Sequence, residues 1–220
     1  MAAGARFGHL RAAAVILAAG LGARLGGVAK ALIRVDGVPL ILRQIDALRG
    51  AGVTDIVVVT GAHHDAIAQA LAHHGVRVVH NAGASLGQGT SVRLGLQAAD
   101  PQAEMLLLML CDQPLLVSAD LVDLMAAFDG RDAAHDFVVP WVEDTRRGNP
   151  VLVSRRAVLA ILAGDQYLAC RDYMDTHPES VLRWITGNDH YLVDIDHAQD
   201  LPGVAARLGC SVSLPPADDR

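Results

Sequence analysis

Short apolar runs alternate with longer amphipathic segments over most of the chain. The runs are rich in Val, Ile and Leu, as buried parallel strands are, and the segments between them repeat apolar residues at helical spacing. This pattern predicts strands at residues 12–17, 55–60, 76–80 and 105–110, and helices at residues 39–49, 64–73, 90–99 and from Ser118 onward. Such an alternation indicates an α/β fold with a mostly parallel central sheet.

The alternation changes after the helix that starts at Ser118. Two strands, at 137–142 and 150–153, flank a charged turn, which suggests a small β insertion that faces a substrate. The last third predicts helices at 157–162 and 167–174, strands at 181–185 and 191–195, and a closing helix. We expect a single domain over residues 12–208, with a flexible N-terminus at 1–11 and a flexible tail at 209–220.

A loop of small residues follows the first predicted strand and carries two cations, Arg24 and Lys30. Glycines let backbone N–H groups approach a phosphate closely and the cations neutralise its charge, so the loop is typical of a triphosphate site. A dinucleotide-binding fingerprint is disfavoured because one residue too many separates Gly22 from Gly26. A Walker loop needs Gly-Lys followed by Ser or Thr, whereas Lys30 lies between two alanines.

Charge and composition exclude several classes of protein. The 220 residues carry a formal net charge of −6, which argues against a general nucleic-acid binder. No apolar run approaches the roughly 20 residues of a membrane helix. The three cysteines lie far apart, so they predict neither a disulfide framework nor a zinc site, and we expect a soluble, cytoplasmic protein with reduced thiols.

Asp112 follows the wholly apolar run 105–110 almost directly. A carboxylate at the end of a buried strand needs a compensating cation or hydrogen bonds, and Mg²⁺ prefers one or two carboxylates with phosphate oxygens. Because open α/β sheets bind ligands at the carboxyl ends of their strands, Asp112 and the glycine loop are expected at one rim. The alternative is that Asp112 caps the turn before Pro114. The histidine pairs at 63–64 and 73–74 are about 15 Å apart along one helix, so they are interpreted as solvated.

Several motifs, in order, resemble one enzyme family. LAAGLGARLGGVAKAL resembles the signature LAAGxSxRMGxxKxL of the MobA-like nucleotidyltransferases, which include the molybdenum cofactor guanylyl- and cytidylyltransferases. Further matches lie at residues 36–40, 87–96, 110–114, 147–151 and 194–196. The resemblance covers about residues 12–208 and implies a Rossmann-like three-layer α/β/α nucleotidyltransferase fold.

The resemblance also implies roles for individual residues. Arg24, Lys30 and Asp112 are implied to be catalytic, with the two cations holding the β- and γ-phosphates and Asp112 binding the Mg²⁺ cofactor. The residues implied to bind the nucleotide are Leu17, Ala18, Ala19, Gly20, Gly22, Arg24, Lys30, Thr60, Gly61, Gly89 and Ser91. The residues implied to face the acceptor are Gln113, Arg147, Gly148 and Asn149. Ser91 has the alternative role of a helix cap, and Arg146 and Arg147 have that of paired surface charges beside Glu143 and Asp144.

A second metal ligand is expected near the end of the predicted strand 191–195. Asp194 and Asp196 alternate along it, so only one can face the metal. The family places a metal-binding Asp or Asn at the end of this strand, which favours Asp196. The alternative is that Asp196 caps the closing helix.

The implied reaction is transfer of CMP from CTP to a phosphorylated acceptor, with release of pyrophosphate. The cytidylyl branch of the family has LAAG, as residues 17–20 do here, and the acceptor implied is molybdopterin, with handover to a molybdoenzyme or its chaperone. The sequence departs from the family's G-D-x-G-A-R and N-x-x-W-x-x-G-M motifs. Alternatives are therefore another nucleotide or phosphorylated acceptor, or a nucleotide-binding accessory protein without turnover. No nucleic-acid or membrane partner is expected.

Overall fold

The computed structural model describes residues 6–7, 10–165 and 169–216. Its strands are β1 (Arg6–Phe7), β2 (Leu10–Ala18), β3 (Arg34–Val35), β4 (Val38–Pro39), β5 (Asp55–Thr60), β6 (Arg77–His80), β7 (Met105–Leu110), β8 (Phe137–Val142), β9 (Arg146–Arg147), β10 (Val151–Ser154), β11 (Val181–Thr186) and β12 (Val212–Ser213). Its α-helices are α1 (Leu40–Gly50), α2 (His64–Leu71), α3 (Gln88–Ala98), α4 (Ser118–Asp129), α5 (Arg155–Ala163), α6 (Cys170–Thr176) and α7 (Leu201–Leu208).

The central sheet has the order β11-β8-β10-β7-β2-β5-β6. Strands β7, β2, β5 and β6 run parallel to one another, and β11 runs parallel to β8. Only β10 on this path is antiparallel to its neighbours, β7 and β8. The predicted α/β fold with a mostly parallel sheet is therefore confirmed, and the two strands predicted as a small β insertion, β8 and β10, pair within this sheet.

Alternate residues of β2 explain why helices cover both faces of the sheet. Ala12, Ala14 and Ile16 face a core built with α1, α2 and α4, whereas Ala13, Val15 and Leu17 face a core built with α3, α5 and α6. On the second face, α3 packs closely because a Cβ at Gly95 would lie 2.3 Å from a methyl of Val15. The three predicted layers are therefore present.

The predicted strand 191–195 is wrong. Asp189–Leu192 is a short 3-10 helix, and the apolar side chains that suggested a strand are buried in two different clusters instead of in the sheet. Tyr191 packs in the core under α4, where its hydroxyl donates to the carbonyl of Asp120 at 2.6 Å, and Ile195 packs beside the glycine loop. The alternating apolar side chains are therefore buried by packing against other elements, and not by pairing in a sheet.

The ends of the expected domain also differ from the structure. Strand β2 begins at Leu10, and Arg6–Phe7 pairs antiparallel with it, so four residues of the expected flexible segment 1–11 are in strands. Residues 212–213 of the expected tail pair with β3 in a three-stranded sheet of order β12-β3-β4. Residues 1–5, 8, 9 and 217–220 of these segments lie outside the described residues, as do 167 and 168 of the predicted helix 167–174.

Candidate active site

Three parallel strands end at one rim of the sheet and place the predicted motifs side by side. β2 leads into the glycine loop, β5 into Gly61 and β7 into Asp112. The backbone N–H of Cys111 donates to the carbonyl of Leu17 at 3.2 Å, which fixes the end of β7 against the end of β2. The glycine loop and Asp112 therefore lie at one rim, as the sequence predicts.

The glycine loop turns back on itself before it reaches Lys30. Gly22, Gly26 and Gly27 have positive φ angles of 61°, 74° and 82°, which favour glycine. A Cβ at Gly22 would lie 1.9 Å from the carbonyl oxygen of Val28, so a side chain there would collide with the backbone. The role of Gly22 in this structure is to shape the loop, and it does not line the cavity beside it.

The cations of the loop form one charged network with the carboxylates. Lys30 Nζ donates to Asp112 Oδ2 at 2.8 Å and to Asp196 Oδ1 at 2.5 Å, and Arg24 Nη1 donates to Asp196 Oδ2 at 2.8 Å. The side chains of Lys30 and Asp112 are less than a fifth exposed, whereas Arg24 is two-thirds exposed. The four residues predicted for catalysis and metal binding are thus brought together.

These contacts shift the acidities of the groups. Burial opposes the charged form of Lys30, but the hydrogen bonds that it donates to Asp112 and Asp196, together with their negative charges, outweigh burial and raise its pKa. The hydrogen bond from Lys30 lowers the pKa of Asp196. Partial desolvation of its carboxyl group and repulsion by Asp112 and Asp196 raise the pKa of Asp194. Lys30 is therefore a full cation and Asp196 a full anion at neutral pH.

Asp194 and Asp196 play different parts around Asp112. Ile195 between them donates its N–H to the carbonyl of Asp112 at 3.0 Å, so the segment runs along the Asp112 loop. Of these two aspartates, only Asp196 accepts a hydrogen bond from Lys30. Asp194 is exposed and lies close enough to Asp112 and Asp196 to be repelled by their charges. The cap of the following turn is Asp200, whose carboxylate accepts from the N–H groups of Asp196 and His197.

A cavity of about 260 Å³ lies between the glycine loop and α3. Seven of the predicted nucleotide and catalytic residues line it: Leu17, Ala18, Ala19, Gly20, Lys30, Ser91 and Asp112. Ser91 lies within α3 and accepts a hydrogen bond from Asn81 Nδ2 at 2.8 Å, so it is not a helix cap. We call this space the nucleotide cavity.

Two predicted nucleotide residues lie behind the cavity wall. Thr60 is fully buried, and its hydroxyl contacts His64 Nδ1 at 2.8 Å. A Cβ at Gly61 would lie 2.5 Å from the carbonyl oxygen of Ala19, so Gly61 lets the end of β5 pack against the glycine loop. Both support the loop, and neither lines the nucleotide cavity.

A second cavity, of about 520 Å³, adjoins the first and shares Leu17, Gln88 and Leu110 with it. Of the predicted residues, Gly89, Arg147 and Asn149 line this second cavity. Gln113 and Gly148 are buried beside it: Gln113 Nε2 donates to the carbonyls of Asn149 and Tyr191, at 3.0 and 3.1 Å. We call this space the acceptor cavity.

Some residues of these cavities escaped the motif analysis. Ala84 and Gln88 line the nucleotide cavity, and Cys170, Arg171 and Met174 line the acceptor cavity. Gln88 stands in the matched segment 87–96 and was within reach of sequence reasoning. Arg171 follows Gly164 and Asp165 later than the arginine of the family's G-D-x-G-A-R motif does, so this altered motif did not place it among the predicted acceptor residues.

The predicted surface pairing of Arg146 and Arg147 is not formed. Asp144 pairs with Arg183 at 3.0 Å, and Arg147 points to the acceptor cavity. The histidines are not merely solvated either. His64 stacks on His80 with 4.5 Å between ring centroids, and His63 Nε2 lies 3.3 Å from the carbonyl of Leu21 in the glycine loop.

The carboxylates at the rim fit a divalent metal ion that is also held by phosphates. Asp112 Oδ1 is buried and has no hydrogen-bond partner, which leaves one oxygen of this carboxylate for a cation. No group of three or more His, Cys, Asp or Glu side chains converges on one point within the residues that the structure describes. Mg²⁺ needs only one or two carboxylates when substrate phosphates complete its coordination.

Comparison with known proteins identifies the family. The MobA-like NTP transferase domain matches residues 14–181. The chain belongs to this family. A nicotine blue oxidoreductase from Paenarthrobacter nicotinovorans is 33% identical over 158 residues, which cover 69% of this chain and 76% of that protein. The bifunctional protein GlmU from Pelobacter propionicus is 33% identical over 123 residues, which are 56% of this chain but only 27% of GlmU.

The fold of this MobA-like chain is that of solved nucleotidyltransferases. A nucleotidyl transferase from Methanothermobacter thermautotroptrophicus superposes with a TM-score of 0.74 at 25% identity, covering 91% of this chain and 98% of the other. Across the described residues, no helix is both long and apolar enough to cross a membrane. The comparisons therefore agree with the family that the motifs indicate.

Proposed function

We propose that the protein is a nucleotidyltransferase that transfers CMP from CTP to a phosphorylated acceptor and releases pyrophosphate. The observation that carries this proposal is the network in which Lys30 joins Asp112 and Asp196 beside a glycine-loop cavity. Cations for a triphosphate and carboxylates for its metal ion stand next to one another there. A second cavity adjoins the first and offers room for an acceptor.

In the proposed reaction, an acceptor phosphate oxygen attacks the α-phosphorus of CTP. A bond forms between that oxygen and the α-phosphorus, the bond to the oxygen bridging the α- and β-phosphates breaks, and pyrophosphate leaves with the electron pair. A phosphomonoester is already ionised near neutral pH, so no protein base has to remove a proton. Catalysis therefore depends on alignment and charge stabilisation.

Lys30 and Arg24 would hold the β- and γ-phosphates as they leave. The raised pKa of Lys30 keeps it charged at neutral pH, and its hydrogen bonds to the carboxylates keep it at the cavity wall. Asp112 and Asp196 would hold Mg²⁺, which supplies charge neutralisation at the phosphoryl oxygens when bound. On nucleotide binding, the two cations exchange carboxylate partners for phosphate oxygens.

CTP is preferred on the basis of the LAAG segment, residues 17–20. Ala18, Ala19 and Gly20 line the nucleotide cavity, so the Ala19 methyl narrows it relative to a glycine at that position. Molybdopterin is the acceptor that the family resemblance favours, with handover to a molybdoenzyme or its chaperone. The three free cysteines agree with a reducing, cytoplasmic setting.

The decisive experiment is a pyrophosphate-release screen of CTP, GTP, ATP and UTP with Mg²⁺ against phosphorylated acceptors, including molybdopterin. We expect release with CTP, and its loss in Asp112→Ala. Glu104→Ala, which changes an acidic residue at the opposite end of β7, is the matched control and should retain release. Undiminished turnover in Asp112→Ala would refute the assignment of this carboxylate.

The same screen, run in parallel with an assay that contains a reduced nicotinamide cofactor, separates the rival functions. The name of one relative, nicotine blue oxidoreductase, makes hydride transfer the second candidate. Oxidation of a reduced nicotinamide cofactor, with no pyrophosphate release from any pair, would favour that candidate. Nucleotide binding without any turnover would favour an accessory protein.

A further inference from the structure

The buried face of α1 contains an amide side chain among apolar residues. Gln44 is only 1% exposed. The other buried residues of this helix are all apolar: Leu40, Ile41, Ile45, Ala47 and Leu48. Burial of an amide costs free energy unless its polar atoms are hydrogen-bonded. The packing of α1 alone would favour an apolar residue at this position, so the reason for the amide lies in what it contacts.

The hydrogen bonds of Gln44 reach the loop that carries Asp112. Gln44 Nε2 donates to the carbonyl of Leu110 at 2.7 Å and to the carbonyl of Gln113 at 3.3 Å. Since both partners are acceptors, the nitrogen of the amide has to face the loop. Strand β10 pairs with β7 only as far as Leu108, so it supplies no donor to these two carbonyls. The amide of Gln44 satisfies both of them from the opposite element.

These hydrogen bonds bracket Asp112 along the backbone. The carbonyls two residues before and one residue after Asp112 are bonded to α1, and the carbonyl of Asp112 itself accepts from the N–H of Ile195 at 3.0 Å. The carboxylate of Asp112 is therefore oriented by a backbone that is held from two sides. Its Oδ2 accepts from Lys30, whereas its Oδ1 is buried without a hydrogen-bond partner. The contacts of Gln44 thus set where this oxygen points.

The other end of the amide argues against a role in stability alone. Gln44 Oε1 is buried and has no hydrogen-bond partner among the described residues. An unsatisfied buried acceptor costs free energy and offsets part of the gain from the two hydrogen bonds of Nε2. The position of the Asp112 loop explains this amide better than the stability of α1 does.

We propose that Gln44 is a positioning residue that holds Asp112 in the orientation required for a metal-bound nucleotide. This inference rests on the proposed function, because it takes Asp112 as a metal ligand. It adds that a buried residue of α1, which lines neither cavity, sets how much the metal strengthens nucleotide binding.

The test compares the affinity for CTP with and without Mg²⁺. Calorimetry with the full chain gives the dissociation constant of CTP in EDTA and in saturating Mg²⁺, and the ratio of the two constants measures the contribution of the metal. Gln44→Met is close to glutamine in length and removes the amide. We expect the ratio to fall about tenfold in this variant, as for other groups that orient a metal ligand. The constant in EDTA should stay close to that of the parent, because Lys30 and Arg24 are unchanged.

Leu48→Ala is the matched control. Leu48 lies one turn further along the same buried face, and its truncation destabilises the fold by leaving a cavity, but the ratio should not change. Hydrogen exchange gives a second readout that needs no ligand. Relative to the amides of β2, the amide of Ile195 should exchange faster in Gln44→Met and not in Leu48→Ala, because it bonds to the carbonyl of Asp112.

Two results would overturn the proposal: a ratio in Gln44→Met equal to that of the parent, or an equal fall in Leu48→Ala. Failure of the proposed function has a different signature, which the parent chain shows before any variant is compared. The parent would then bind CTP no more tightly in Mg²⁺ than in EDTA, which refutes the metal assignment itself, or would release no pyrophosphate with any acceptor.

Discussion

At the scale of single residues, the site depends on where the backbone leaves no room for a side chain and on where the carboxylates lie. The backbone at Gly61 packs against the carbonyl group of Ala19, so the end of β5 supports the glycine loop from outside the nucleotide cavity. Asp194 is repelled by the carboxylates of Asp112 and Asp196, but it accepts no hydrogen bond from Lys30. Gly61 and Asp194 each give a prediction about stability that does not depend on the reaction.

Gly61→Ala should disturb the glycine loop. The added Cβ would lie 2.5 Å from the carbonyl oxygen of Ala19, so the backbone must shift, at about 2 kcal/mol of stability. Urea unfolding checks the loss, and a weaker CTP affinity should accompany it. Gly20→Ala is the matched control, because a Cβ there meets no atom within 4 Å. Equal stability of the two variants would contradict the steric argument.

Asp194→Asn should stabilise the metal-free protein at pH 7. Partial desolvation of this otherwise exposed side chain and repulsion by Asp112 and Asp196 raise the pKa of Asp194 in the folded state, so ionisation of this carboxyl disfavours folding. The gain should be about 1 kcal/mol or less because the side chain is exposed. It should shrink as the pH falls through the raised pKa and vanish below the ordinary value of 3.8.

Unfolding midpoints measured in EDTA between pH 7 and pH 3 check this prediction. Asp189→Asn is a control of opposite sign, because a hydrogen bond from Arg207 lowers the pKa of Asp189. That variant should be less stable at pH 7, and its deficit should begin to shrink only as the pH falls below the ordinary value of 3.8. A gain in Asp194→Asn that persists to the acidic end would contradict the repulsion argument.

At the scale of elements, the segment 188–196 is attached to the start of α4. The buried carboxylate of Asp120 accepts from Asn188 Nδ2 at 2.7 Å and contacts His190 Nδ1 at 2.9 Å, and its backbone carbonyl accepts from the hydroxyl of Tyr191. The backbone of Tyr191 in turn bonds to Gln113 and Asn149. The start of α4 therefore positions the loop at Asp112, the turn that contains Asn149 and the segment that carries Asp196.

Asp120→Asn should loosen this attachment. The charge-assisted hydrogen bonds weaken in a buried position, so we expect a loss of about 2 to 3 kcal/mol in stability. Hydrogen exchange should accelerate at the amides of residues 189–196. Asp123→Asn, at an exposed position of the same helix, is the control and should change neither quantity. Unaltered exchange in Asp120→Asn would show that the segment is held by other contacts.

At the scale of the whole molecule, a third apolar cluster joins the glycine loop to the C-terminal part of the chain. Leu25 and Val28 of the loop pack with Ile195 and Val204, and Val212 and Leu214 pack against the same cluster. β12 completes the small sheet by pairing with β3, which closely follows Lys30 in the chain. Residues expected to be a tail thus contribute to the support of the nucleotide cavity.

A chain that ends at Gly209 should be less stable and bind CTP more weakly. It loses β12 and the packing of Val212 and Leu214, a change of about 2 kcal/mol for partly buried apolar side chains. Thermal unfolding with and without CTP measures both effects. A chain that ends at Pro216 keeps every contact described for the small sheet and should match the parent. Equal behaviour of the two truncated chains would exclude a role for β12.

The sequence predicted the strands of the central sheet, the helices that cover it, and the position of the glycine loop next to Asp112. It could do so because side-chain period, glycine spacing and the direction of parallel strands are local properties. It misassigned residues 191–195, since alternating apolar residues are also buried when they pack into separate clusters. Its prediction that Thr60 and Gly61 bind the nucleotide stays a prediction, and in the structure both residues lie behind the wall of the nucleotide cavity.

By itself, then, the sequence determined the fold class, the family and the charged residues of the rim, because these follow from neighbouring residues and their spacing. Only the tertiary structure decided how those residues combine. Lys30 and Asp196 are 166 residues apart, and Arg147 and Arg171 come from a strand and a helix. Contacts across such separations depend on how the layers pack, which no local pattern encodes.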